Sequence, residues 1–322
     1  MRMSNSHEQE KSLPTYVKHV NHPFFLMPQG FPVENFAKAL EYKAQPKDLF
    51  VATYPKCGTT WMQHICYLML NNGVPLPADI NLTVAFPHLE EHGADFINDI
   101  SNFPPLAYPQ QKNGKGHGGD DVMRLIKTHL YYEMTPIHPE AKYIYVARNP
   151  KDVVVSFFYH TRGFVRHYNF GEGKFDDYFE LFMKGEVDFG DYFESLKSWL
   201  PHLKDQHVFY LTYEDLKCNT RKRILELAEF IGGDELKQNL LANDNLILDQ
   251  VVEHSSVKSM QKDVLRWSSA RPADQTQFVR KGIIGDWRNV LSKDQSDRID
   301  QKMNEYFTKE ELKILWPNYD SL

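Results

Sequence analysis

Cysteine is scarce in this chain of 322 residues. Cys57, Cys66 and Cys218 are odd in number and spaced like neither a zinc-ligand set nor a disulfide framework. That excludes a disulfide-stapled scaffold and points to a reducing compartment. Long hydrophobic runs are missing too. No apolar stretch approaches the roughly 20 residues that a membrane span requires, and the polar start MRMSNSHEQEKSLPTYVKHV lacks the apolar segment of a secretory signal. A soluble cytoplasmic protein is expected, with no membrane partner. Nor is there an excess of positive charge: 37 Lys and Arg against 43 Asp and Glu give a net charge of −6. General nucleic-acid binding is therefore excluded, and any polyanion must be met by local clusters of cations.

Aromatics are abundant. With 21 Phe, 17 Tyr and a hydrophobic fraction of 42%, the chain can fill a sizeable core, and its length fits one α/β unit with additions. We expect a mobile leader over residues 1–20 and a single domain over 21–322.

The stretch from Asp48 to Asn72, DLFVATYPKCGTTWMQHICYLMLNN, reads as strand, turn and helix, with β-formers first and apolar residues at helical spacing afterwards. At the turn, Gly58 permits a tight bend and the hydroxyls of Thr59 and Thr60 fall on the first helical turn. A helix start offers unpaired N–H donors, so the loop suits a phosphate or sulfate group, with Lys56 as an adjacent cation. Alone, the same residues serve equally well as a plain helix cap. The loop also departs from GxxxxGK[ST], because Thr59 stands where that pattern has Lys.

Elsewhere, the prolines of NHPFFLMPQGFPVENFAKAL (21–40) exclude a regular strand, and the segment either packs on the core or walls an apolar pocket. The span from Pro75 to Asp121 reads as loops, with a solvated His117 in a Gly-rich excursion. RLIKTHL (124–130) is a strand that puts Lys127 and His129 on one face near its C-terminal end, where parallel sheets bind ligands. KYIYVARNPKDVVVSFFYH (142–160) repeats the strand–helix unit: Asn149 suits the N-cap, Pro150 the first helical position, and Arg148 with Ser156 offers a second phosphate site. HVFYLTYEDL (207–216) is a further strand, ending in Tyr213 and Glu214. Strands separated by helices call for a parallel sheet covered on both faces. Arg280 and Lys281 precede Gly282 and Gly285, glycines that let backbone N–H groups approach a ligand.

The motifs TYPKCGTTW (53–61), KTHL (127–130), RNPKDVVVSFF (148–158), TYEDLK (212–217), EHSSVKSM (253–260) and RKGIIGDWRN (280–289) together resemble the cytosolic sulfotransferases in order and spacing, over about residues 20–315. The resemblance implies a P-loop NTPase-like three-layer α/β/α fold with a central parallel sheet and a phosphate-binding loop. It implies 3′-phosphoadenosine 5′-phosphosulfate as donor, adenosine 3′,5′-bisphosphate as product, and no metal. Lys56, Gly58, Thr59 and Thr60 would hold the 5′-phosphosulfate, and Trp61 would lie against the adenine. Arg148, Ser156, Arg280, Lys281 and Gly282 would hold the 3′-phosphate, with Tyr213 on the adenine side. Ser255 carries over more loosely, since the family more often has Thr there, and Val257 stands where an aromatic commonly stacks, implying weaker adenine packing.

In the reaction so implied, His129 is the base, while Lys56 and Lys127 stabilise developing charge. The acceptor is the hydroxyl or amine of a small phenol, catecholamine or alcohol. Its pocket is expected from Phe25, Phe31, Phe86, His88, His160 and His167, with Phe24, Phe158 and Phe164 as further candidates. The family's dimer-forming segment is not recognisable in KDVLRWSSARPADQTQF (262–278), which leaves the oligomeric state open. Two other readings stay open: a catalytically silent adenosine-bisphosphate binder, and a nucleotide kinase, which would need the missing Lys and an Mg²⁺-holding carboxylate.

Overall fold

A computed structural model describes residues 12–77, 79–108, 123–267 and 276–317. The Gly-rich piece with His117 and much of the would-be dimer segment lie outside the described residues. The described chain opens with a hairpin, β1 (Tyr16–His19) antiparallel to β2 (His22–Pro28). This corrects the expectation that prolines exclude a strand here. A two-stranded ribbon has only edge strands, where a missing N–H can face away from the partner. β1 falls inside the span expected as a leader, of which residues 1–11 are not described.

Helix α1 (Val33–Glu41), strand β3 (Asp48–Thr53) and helix α2 (Thr59–Leu70) follow. The next span, expected as loops, instead holds helices α3 (Leu82–Ala85) and α4 (Leu89–Asn98). Its prolines punctuate these helices from outside: Asn81 caps α3 by accepting from the Thr83 N–H, and Pro87 separates α3 from α4.

Strands β4 (Arg124–Thr128) and β5 (Lys142–Ala147) come next, then α5 (Pro150–Gly163), capped by Asn149 as expected, and α6 (Val165–Tyr168), α7 (Phe175–Lys184) and α8 (Tyr192–Trp199). Strand β6 (Val208–Thr212) ends one residue before Tyr213 because the Thr212 hydroxyl accepts from the Asp215 N–H and starts α9 (Tyr213–Cys218). The chain continues through α10 (Thr220–His254), broken at Gly233 and at residues 242–245, then α11 (Val257–Met260), α12 (Val264–Trp267), α13 (Lys293–Tyr306) and α14 (Lys309–Leu315).

The four long-range strands form one parallel sheet in the order β4-β3-β5-β6. Alternation along β3 and β5 builds two cores. Phe50, Ala52, Tyr143 and Tyr145 face one, with α5, α7 and α8, while Leu49, Val51, Ile144 and Val146 face the other, with α2 and α10. This is the three-layer α/β/α arrangement. Chain order reverses beside β3, so a crevice opens at its carboxyl end. No described helix is long and apolar enough to cross a membrane.

Candidate active site

A cavity of about 320 Å³ occupies that crevice. Its floor is the turn between β3 and α2. Gly58, the N-cap of α2, sits in the left-handed region at φ 99° without a side-chain cap, so no side chain satisfies the first N–H groups of α2, whose residues Thr59 and Thr60 line the opening. A Cβ at Gly58 would lie 2.9 Å from Cδ2 of Tyr213, which makes glycine obligatory. Lys56 also takes a left-handed backbone, φ 68°, a costly state for a side-chain-bearing residue. Its Nζ lies 3.2 Å from Nδ1 of His160 and 4.6 Å from the Phe278 ring. The hydroxyls of Thr59 and Thr53 are hydrogen-bonded at 2.6 Å, anchoring the helix start to the sheet.

At one end stand the cations. Arg148 is buried at the tip of β5, donates to the Lys56 carbonyl at 3.1 Å, and lies 4.2 Å over the Tyr213 ring, while its Nε has no partner. Arg280 and Lys281 both reach the buried carboxylate of Asp286. Burial opposes ionisation of Asp286, but hydrogen bonds from Lys281, Arg280 and Asn289 outweigh it and hold the carboxyl at about 2. Asp152, buried in the first turn of α5, accepts from the N–H groups of Gly285 and Trp287 and so docks this segment on α5. Gly282, at φ 61°, leaves no room for a Cβ, which would meet Val257 at 2.2 Å; the glycine is demanded by packing as well as by any ligand. Trp61 and Tyr213 meet edge to face at 5.5 Å, and Ser156 and Val257 complete this wall.

His129 sits at the other end, just past β4. Its Nδ1 is 2.7 Å from the Thr53 carbonyl oxygen, which can only accept, so Nδ1 carries the proton and Nε2 keeps the lone pair. Its backbone N–H donates to the buried Glu90 carboxylate at 2.6 Å. Burial, then the charge of Lys127, then His88, hold the imidazole well below its ordinary 6.5, so it is neutral near pH 7. Burial lowers Lys127 from the usual lysine range, opposed by Glu91, Glu90 and Asp188. The His129 ring meets His88 at 4.9 Å and Phe189 at 4.7 Å.

Most residues singled out from the sequence meet in this one cavity: Lys56, Gly58, Thr59, Thr60, Trp61, Lys127, His129, Arg148, Ser156, Tyr213, Arg280, Lys281 and Gly282 line it. Phe31, His88, His160, Phe164 and His167 line it as well. Five residues are placed elsewhere. Ser255 is buried, its hydroxyl donating back to the Val252 carbonyl at 3.4 Å. Phe25 lies one layer behind the wall, stacked on Phe36 at 5.3 Å, and Phe86 is enclosed in the core beneath α2. Phe24 points to solvent, and Phe158 is in the α5 core. The wall uses Phe189 and Phe278 instead, which carried no local signal. Glu90, Asp188 and Asp286 were also missed; Asp286 stood inside a quoted motif, beside the two cations it holds. Among the described residues, no cluster of three or more His, Cys, Asp or Glu is placed to hold a metal ion.

The sulfotransferase domain matches residues 46–311. Sulfotransferase 1E1 of Bos taurus is 30% identical over 291 residues, 88% of this chain and 90% of that protein. Sulfotransferase 1C2 of Homo sapiens is 30% identical over 283 residues, 85% of this chain and 87% of that protein. Among solved structures, mouse sulfotransferase SULT7A1 complexed with PAP aligns with a TM-score of 0.69 at 23% identity, over 95% of this chain and 99% of that one. Retinol dehydratase in complex with androsterone and inactive cofactor PAP aligns at 0.68 and 21% identity, over 92% and 90% of the two chains. This likeness identifies the fold as P-loop NTPase-like.

Proposed function

The chain belongs to the sulfotransferase family, and from that premise we propose that it moves a sulfuryl group from 3′-phosphoadenosine 5′-phosphosulfate to a hydroxyl or amine of a small acceptor, with His129 as general base. The observation that carries this reading is one cavity holding an uncapped helix start, three cations beyond it, and the unprotonated Nε2 of a neutral imidazole at its far end.

In this reading Lys56, Gly58, Thr59 and Thr60 receive the 5′-phosphosulfate, and Arg148, Ser156, Arg280, Lys281 and Gly282 the 3′-phosphate. Trp61, Tyr213 and Val257 bracket the adenine. The donor, when bound, supplies an electrophilic sulfur with a phosphate leaving group. His129 Nε2 takes the proton of the acceptor hydroxyl as its oxygen attacks in line. Even an ordinary imidazole facing a phenol would make full prior deprotonation cost about 5 kcal/mol, and burial of His129 widens that gap. Proton removal is therefore coupled to S–O bond formation, with Lys56 and Lys127 stabilising charge on the transferring group. A cytoplasmic location fits the three free cysteines.

Transfer of labelled sulfate from the donor to a panel of phenols, catecholamines and steroids tests the reading; nucleotide binding without any labelled product would instead support a silent binder. Gly58→Ala should weaken binding of adenosine 3′,5′-bisphosphate by about tenfold or more, because relieving the left-handed strain of roughly 1–2 kcal/mol and the contact with Tyr213 shifts the loop away from its binding shape, as read by calorimetry; unchanged affinity would remove the loop from the site. The acidic limb of kcat/KM should lie clearly below pH 6.5, because the lowered imidazole stays neutral as pH falls. Asp188 titrates at about 7 on the same wall, so the profile is best read in Asp188→Asn with a neutral phenol. A limb at or above 6.5 would contradict the buried neutral base.

A further inference from the structure

We propose that Asp188 receives the protonated amine of the acceptor, so that the preferred substrates are hydroxyaryl amines whose hydroxyl meets His129 while their ammonium meets this carboxylate. The inference rests on the sulfotransferase reading and names its substrate class.

Asp188 is 1% exposed and lies on the cavity wall. One oxygen, Oδ2, accepts from the Tyr168 hydroxyl at 2.7 Å, while Oδ1 is buried with no hydrogen-bond partner. A buried carboxylate oxygen left unpaired is costly, and a ligand that donates to it removes the cost. The backbone around it is held rigidly. Asp188 bridges to Leu26, the Phe189 N–H donates to the Leu26 carbonyl at 2.7 Å, and the Tyr54 hydroxyl donates to the Gly190 carbonyl at 2.8 Å. Phe189 is forced into the left-handed region at φ 62°, a strained state for an aromatic residue. That strain sets the Phe189 ring against His129 at 4.7 Å and leaves the carboxylate one residue away, on the same wall as the base.

The charges agree with this assignment. The nucleotide end of the cavity carries Arg148, Arg280 and Lys281, whereas carboxylates gather at the His129 end: Asp188 and Glu91 on the wall, Glu90 beneath His88 and His129. Burial raises the Asp188 carboxyl to about 7, and the Tyr168 hydrogen bond and the charges of Lys56 and Lys127 pull the other way. An ammonium at Oδ1 would favour the ionised form further. A neutral phenol of the same shape would leave Oδ1 unsatisfied.

The test compares tyramine with 4-propylphenol, which replaces the ammonium by a methyl group. The wild-type kcat/KM for tyramine should exceed that for 4-propylphenol at least about tenfold, the scale of one charge-assisted hydrogen bond. Asp188→Asn, which can still accept from Tyr168, should bring the ratio close to one; Asp188→Ser serves if Asn is not tolerated, with binding of adenosine 3′,5′-bisphosphate as the check on folding. A wild-type ratio at or below one, or a ratio unchanged in the variants, overturns the inference and leaves the sulfotransferase reading intact. Labelling of neither phenol by an enzyme that binds the nucleotide overturns both.

Discussion

His129→Ala should lower kcat about 10³-fold, the usual share of a positioned general base, while affinity for adenosine 3′,5′-bisphosphate stays within a few-fold. The separation follows from the geometry. His129 hangs from the Thr53 carbonyl and the Glu90 carboxylate, whereas the phosphate loop is fixed by the Thr53–Thr59 hydroxyl pair and the Gly58 turn, none of which needs the imidazole. The measurements are single-turnover transfer from labelled donor and calorimetric titration of the nucleotide. His129→Gln keeps much of the volume next to Phe189 and His88, and should be as inactive as the alanine variant. Nucleotide affinity falling in step with turnover would make His129 a structural residue.

Arg280→Ala should weaken adenosine 3′,5′-bisphosphate binding by about 10–100-fold, the range of one charge-assisted hydrogen bond, with little effect on adenosine 5′-monophosphate. Arg280 is partly exposed, its guanidinium 4.9 Å over the Tyr159 ring and tied to Asp286. Asp286 holds Lys281 as well, and Arg148 lines the same end of the cavity, so deleting the guanidinium leaves two cations in place and the loss is partial. An equal loss for the nucleotide lacking the 3′-phosphate would show that Arg280 reads some other group.

The parts of the site legible in the sequence are those decided locally. Gly58, Thr59 and Thr60 lie within one turn, and the Asn149–Pro150 helix start is written in adjacent residues, so composition and spacing suffice. Lys127 and His129 followed from strand alternation. What escaped depends on distant packing. Phe25 and Phe31 are both plausible pocket residues, but the hairpin turns one against Phe36 and the other toward His88. Phe189 reaches the wall only through a backbone conformation that its residue type disfavours. The helices between Leu82 and Asn98 were hidden by flanking prolines, which also mark helix boundaries because the residue before a proline is disfavoured in the helical region.

Thr53 holds His129 through its carbonyl and the start of α2 through its hydroxyl. In the proposed reaction, proton transfer and donor capture are thus referenced to the same point of the central sheet, while much of the surrounding aromatic lining, Phe31, Phe164, Phe189 and Phe278, comes from connecting segments. Substitutions in that lining can retune which molecules are accepted without moving the reacting groups relative to each other, so chemistry and selectivity are free to evolve on separate parts of the scaffold.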